Sequence, residues 1–427
     1  MKSIRYERNR NKLFLLFFII SLLLVLQDVL YQYAGIFKWA DEFVGAALIP
    51  FTFFVYISKK PPFYKEEKII LAAFLFMLST GLLSSLIYRY QGINAILADL
   101  IIVSKFIGAY FLSRVIFYEI NLKEYFKYIK AAFQIITFAA FSAVAADIVL
   151  GIFPKDEGRK MLIYSEQLMF SHPTYLAVFS IEVLAFLTLV SENKLKDKIF
   201  IAMIMLVCAS CLRAKAIGLL IFYLFFILAA KKLEKIKISY IIAASLLVFL
   251  IFIPQITTYY SNDESARSAL TAAGFKIANS FFPIGAGFGT FGSYFSGVYY
   301  SPLYYQYGIN TVWGLGKRDY SFVADTFWPM IIGQFGYIGL CAFAVIILCF
   351  LLLIRKMAES GTNTMFFALI PFIYLLISST SESSYVNSFS VIFFIITGMA
   401  VNQIKYRTFK ECPGNGDSYE KNTGHCT

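Results

Sequence analysis

Long apolar runs alternate along this chain with short connectors rich in Lys and Arg. That alternation limits the possible folds more than any single motif does. A helix needs about 20 apolar residues to cross a bilayer core. Twelve segments approach that length: 13–30, 43–57, 69–88, 93–117, 128–152, 174–190, 199–212, 216–230, 238–256, 328–354, 364–378 and 388–404. The chain is 59% hydrophobic and only 15% charged, whereas a soluble domain is about 45–50% apolar. Lipid must therefore be part of its solvent. In lipid every backbone N–H and C=O has to be paired within the protein, which favours helices. The expected fold is an all-α polytopic membrane protein of about 12 transmembrane helices.

The net charge of +12 does not point to nucleic acid, because the cations cluster between the apolar runs. With the N-terminus in the cytoplasm, the inward connectors and the tail hold about 25 Lys and Arg, and the outward connectors about 11. This asymmetry is the positive-inside pattern. It predicts both termini in the cytoplasm of a bacterial-type inner membrane. The expected organisation is nine helices over 1–256, a large external loop over 257–327, three helices over 328–404 and a disordered tail over 405–427. The basic N-terminus before the first apolar run reads as a retained helix, not a cleaved signal.

Cys208 and Cys211 form a C-x-x-C inside an apolar run, which reads mainly as packing, with redox or metal chemistry as the lesser alternative. Asp99, Lys105 and Glu182 also fall inside apolar runs. Charges at that depth should face protein or water. A Lys105–Glu182 ion pair fixing helix register is one reading, and a substrate cavity is the other. Arg114 is expected to reach out toward the inner surface. Arg213 and Lys215 occupy a short external turn, against the charge rule, so something should compensate them. An anionic ligand is the preferred candidate.

In the large external loop, 264–281 has helical character, with Arg267 on a face suited to the membrane surface. A turn follows that carries Gly285, Gly287, Gly289 and Gly292. It satisfies G-x-G-x-x-G, but no strand precedes it and no βαβ unit surrounds it, so a dinucleotide site is rejected. Gly287 and Gly289 could expose N–H groups to a phosphate, or could simply form a packed turn. Tyr294, Tyr299, Tyr300, Tyr304 and Tyr305 crowd the next stretch and suit either sugar rings or an interfacial belt. Asp325 stands before the next apolar run, as a proton acceptor or as a helix N-cap.

These residues resemble the O-antigen ligase and polymerase superfamily, most closely the polymerases of O-antigen, capsule and exopolysaccharide repeat units. The resemblance rests on Arg267, then PIGAGFGTFG, then FWPMIIGQFGYIG, with LRAKAIG and SHPTYLA typical in character. In the ligase branch a His stands about eleven residues before the Gly that matches Gly336. Here that position is Asp325, which favours a polymerase. The resemblance implies a GT-C-like fold and transfer of a glycan from a polyprenyl diphosphate carrier onto a lipid-linked repeat unit. Membrane lipid and a chain-length regulator are the further partners, and neither cofactor nor metal is implied. Arg267, Arg213 and Lys215 would stabilise the departing diphosphate. Asp325, or failing it His172, would take the acceptor proton. Gly287, Gly289, Tyr299 and Tyr300 would line the substrate. The rival readings are a ligase acting on another acceptor, and a flippase or transporter of lipid-linked oligosaccharide.

Overall fold

The computed structural model describes residues 2–154, 164–232 and 265–404. Among these residues the secondary structure is helical, with no strand. The helices are α1 (Lys2–Val25), α2 (Gln27–Tyr33), α3 (Ala40–Glu42), α4 (Ile49–Lys59), α5 (Lys65–Tyr88), α6 (Ile93–Ile116), α7 (Phe126–Leu150) and α8 (Pro173–Leu189). They continue as α9 (Leu195–Ser210), α10 (Ala214–Lys232), α11 (Ala266–Ser280), α12 (Tyr294–Val298), α13 (Leu303–Gln306), α14 (Trp328–Met357), α15 (Thr362–Ser378) and α16 (Ser388–Asn402). The apolar run 238–256, the start of the large loop and the tail lie outside the described residues.

Among the described residues, five helical stretches are long and apolar enough to cross a membrane: Gly35–Lys59, Lys65–Tyr88, Ile93–Ile116, Leu122–Leu150 and Trp328–Ser360. The pair Asn9–Val25 and Gln27–Tyr33, bent by 69°, would make a sixth. The chain is a helical membrane protein. Its burial pattern fits that solvent. Helices α8 and α16 are buried nearly all round, whereas α1, α4, α5 and α7 turn Leu, Ile and Phe outward, as at Leu16, Phe53, Leu83 and Phe138. In water such a surface would drive aggregation; in lipid it is the ordinary exterior.

Two apolar runs are less regular than their sequences suggest. The first breaks at Leu26, between α1 and α2. The run at 43–57 opens with a π-helical turn at Phe43–Ala47 before α4, and a 3₁₀ turn at Gly35–Trp39 and α3 precede it. The break has a packing reason. A Cβ on Gly45 would lie 2.7 Å from Lys105 Cβ, and one on Gly108 would overlap Gly45 O. The two backbones therefore approach as only glycine permits.

The buried charges correct two expectations. Lys105 does not meet Glu182; it pairs with Asp41 in a very short contact and with Glu42 at 3.4 Å. Glu182 is fully buried and, among the described residues, neither of its carboxyl oxygens has a hydrogen-bond partner. Arg114 does not reach outward. It is 1% exposed, pairs with Glu67 at 2.5 Å, donates to Pro62 O at 3.0 Å and also bonds Asn402. Tyr110 donates to the same Glu67. This network ties α5, α6 and α16 together.

Polar contacts between connectors fall into two sets that share no member. One set holds Arg10–Glu124 at 2.9 Å, Lys59–Glu119 at 3.2 Å, Lys130–Asp197 at 2.8 Å and Lys356–Glu66 at 2.7 Å. The other holds the contacts of Asp28 with Ser171, Lys215 with Glu382, and Arg267 with Asp325. Each set gathers the connectors of one end of the bundle.

Because Glu67 is buried at 0% exposure beside Arg114, Arg114→Ala should strand a buried carboxylate and cost about 3–5 kcal/mol. Thermal unfolding of the purified protein in detergent would show a large fall in midpoint. An unchanged midpoint would remove this pair as a structural tie.

Candidate functional site

The candidate site begins with a break in α14. Gly336 has φ 62° and ψ −161°, outside helical values, in the middle of that helix. A helix interrupted there leaves the preceding carbonyls without their usual partners. The glycine-rich turn supplies them. Ala286 N–H donates to Gly333 O at 2.9 Å and Gly287 N–H to Gln334 O at 2.9 Å. The return contact is Ile338 N–H to Pro283 O at 3.3 Å. On its other side the turn meets α5 and α6. Ser84 Oγ donates to Gly285 O, Ser85 Oγ accepts from Phe288 N–H at 2.9 Å, and Asp99 accepts from Gly289 N–H at 2.8 Å.

This corrects the phosphate reading of Gly287 and Gly289. Their N–H groups are spent on Gln334 and Asp99, and both residues are buried. Of the two readings left open, the structure is the packed turn. The glycines are needed for space and for positive φ: 96° at Gly287, where a Cβ would lie 2.5 Å from Ser85 Oγ. Asp99 is correspondingly an anchor for the turn.

The docked turn sits beside α11 and the start of α14, which pack together. Leu270, Ala273, Gly274, Ile277 and Ala278 form the buried side of α11. Arg267, one turn earlier, does not reach for the membrane surface. Its Nε donates to Asp325 Oδ2 at 2.7 Å and its Nη2 to Ser381 O at 3.3 Å. Asp325 is not a helix cap, since Phe327 occupies the N-cap of α14. Burial pushes the Asp325 carboxyl above its ordinary value, and the adjacent Arg267 only partly opposes that. Glu382 adds to the upward push and Lys215 opposes it, so all four groups share one neighbourhood.

Lys215 is compensated from within the protein: its Nζ is 2.6 Å from Glu382 Oε1. Arg213, two residues before, is buried and its Nη2 lies 3.1 Å from His172 Nε2. His172 is the N-cap of α8, its Nδ1 accepting from Thr174 N–H at 3.2 Å. Both ring nitrogens thus face donors, while a neutral imidazole has a single acceptor nitrogen. That surrounding makes His172 a capping and orienting group more readily than a proton acceptor. The structure therefore brings Arg213, Lys215, Arg267, Asp325 and His172 into one cluster from separate connectors, and adds Glu382. Sequence reasoning passed over Glu382 because SESS reads as an ordinary serine-rich turn.

The tyrosines divide. Tyr300 is 9% exposed and donates to Leu315 O at 2.7 Å, and Tyr304 is fully buried, accepting from Gly292 N–H at 3.0 Å. These two are core, which removes Tyr300 from any sugar surface. Tyr294, Tyr299 and Tyr305 remain exposed, at 45–54%. Cys208 and Cys211 are free and buried. Their thiols lie against Ala177 O and Val207 O.

Gly287→Ala separates packing from ligand binding. The expected outcome is loss of folded, monodisperse protein, since the forced backbone alone costs about 1–3 kcal/mol. A normal yield of stable protein with lost function would return the turn to the substrate site.

No family model matches the chain, and no curated protein matches it, so the functional reading stands on this cluster of connectors.

Proposed function

We propose that this chain is a glycosyltransferase that polymerises polyprenyl diphosphate-linked glycan at the outer face of a bacterial inner membrane. The reading includes a twelve-helix topology with both termini in the cytoplasm and residues 257–327 outside. The observation that carries it is the meeting of Arg267–Asp325, Lys215–Glu382 and Arg213–His172 at one end of the bundle. The segregation of connector contacts into two sets supports the alternating topology.

The chemistry needs three things: cations for a leaving diphosphate, a proton acceptor, and a donor activated before it reaches a face without ATP. A hydroxyl oxygen of the acceptor repeat attacks the anomeric carbon of the donor glycan. The bond from that carbon to the diphosphate oxygen breaks, and the electron pair leaves with the diphosphate. The hydroxyl proton passes to Asp325. Arg267, Lys215 and Arg213 hold the charge as it grows; fixed donors of this kind are worth about 3–4 kcal/mol each at the transition state. In the resting site Arg267 and Lys215 are held by Asp325 and Glu382. A diphosphate would exchange with those carboxylates, and the exchange would release Asp325 to act as base. The exposed Tyr294, Tyr299 and Tyr305 offer apolar faces with polar tips to a sugar chain.

Arg267→Ala should reduce chain growth by about 100-fold or more and leave single lipid-linked repeats in cells. Asp325→Asn should do the same without loss of protein. A normal polymer ladder at matched protein level would remove either residue from the mechanism. Full-length polymer stranded on the carrier would instead favour a ligase, and transport without bond formation a flippase.

The pH profile tests the base. Asp325 must be deprotonated to accept a proton, so the rate should fall as pH drops through its raised value. Glu382 pushes that value up, so Glu382→Gln should move the acid limb to lower pH. A limb that stays in place would exclude Asp325 as the titrating group.

A further inference from the structure

At the opposite end of the bundle lies a cavity of about 760 Å³ that glycan transfer does not use. That volume falls within the range of small-molecule pockets, about 300–1,000 Å³. Three connectors wall it: 122–130, 191–196 and 360–364. Four lysines line it, Lys123, Lys127, Lys130 and Lys196, against a single acid, Glu192. Lys130 is already held, at 2.8 Å from Asp197 and 3.3 Å from Glu192. Lys123, Lys127 and Lys196 are exposed and have no ion pair among the described residues. Helices α7, α9 and α15 begin beside the cavity and add their partial positive ends, while α8 ends there. The rest of the lining mixes polar groups such as Gln134, Asn193 and Thr362 with the apolar Phe126 and Ala131.

We propose that this cavity binds the phosphate headgroup of an anionic phospholipid. The charge selects the anion, with three cations lacking a protein partner around one opening. Phe126 and Ala131 on the lining offer apolar surface to the first methylenes of an acyl chain, which favours a lipid over a soluble anion. The position fits as well. The cavity lies where helices that include the membrane-crossing stretch Leu122–Leu150 reach their ends, the depth at which headgroup phosphates sit. Basic pockets between membrane helices hold anionic headgroups by this combination. The inference needs only that the chain lies in a membrane, and it is independent of glycan transfer.

The test uses the full-length protein purified in mild detergent. Native mass spectrometry would compare retention of added phosphatidylglycerol and phosphatidylcholine, for the wild type and for Lys123→Gln/Lys127→Gln/Lys196→Gln. The wild type should retain the anionic lipid preferentially. The triple variant should lose affinity by about 100-fold, at about fivefold per lysine, and keep its unfolding midpoint. Should the triple variant unfold, Lys127→Gln alone should still show about fivefold weaker retention. As a control, Lys317→Gln, in the segment that carries the Arg267 cluster, should leave retention unchanged. The proposal is overturned by equal retention of both lipids, by unchanged retention in the lysine variants, or by full displacement with millimolar inorganic phosphate. The last result would make this a site for free anions.

Discussion

The interrupted helix at Gly336 organises the rest of the candidate site. A continuous α14 would satisfy its own carbonyls and present a plain apolar face. The break instead frees Gly333 O and Gln334 O to receive the N–H groups of Ala286 and Gly287. Docking the turn there fixes the end of α11 against the start of α14. Arg267 lies in the first turn of α11 and Asp325 just before α14, so their separation is set largely by how these two helices pack. Buried hydrogen bonds in a dry surrounding are costly to leave unmade, which makes the docked turn hard to displace. The same logic explains Asp99. Asp99, deep among the helices, is placed to accept the Gly289 N–H of the docked turn.

The polar groups of the interior follow a shared rule. Arg114 with Glu67, and Lys105 with Asp41 and Glu42, each join separate helical elements. In a membrane the apolar surfaces of helices are nearly interchangeable, since lipid is as apolar as a neighbouring helix. Register must then come from close glycine contacts and from buried polar pairs. Gly45 against Lys105 and Gly108 supplies the first kind, and Arg114 the second. Among the described residues Glu182 has no such partner.

Much of this was legible in the sequence, for identifiable reasons. Among the described residues, helices cover the apolar runs, although the runs at 13–30 and 43–57 are broken. Arg213, Lys215, Asp325 and His172 drew attention because each sits at the end of an apolar run, where charge is costly or against the topogenic rule, and Arg267 because it lies on an amphipathic stretch beside the glycine-rich turn. Their convergence was not legible, since it depends on how connectors meet in space. Glu382 gave no signal inside a serine-rich turn. The partners of Lys105 were hidden because Asp41 and Glu42 precede an apolar run whose internal break the hydropathy pattern does not record. The glycine-rich turn was visible as a motif, but its purpose depends on carbonyls that only the break at Gly336 releases.

The carboxylates facing Arg267 and Lys215 bear on what such a site can select. A bare cationic pocket beside a membrane would fill with any phospholipid phosphate nearby. A cation already held by Asp325 or Glu382 yields only to a ligand whose charge exceeds what is given up. One phosphodiester gains little from that trade, whereas a diphosphate gains more. Under the proposed function the internal pairs would act as a threshold, keeping the mouth of the bundle quiet among abundant weak anions and opening it to a scarce, more highly charged one.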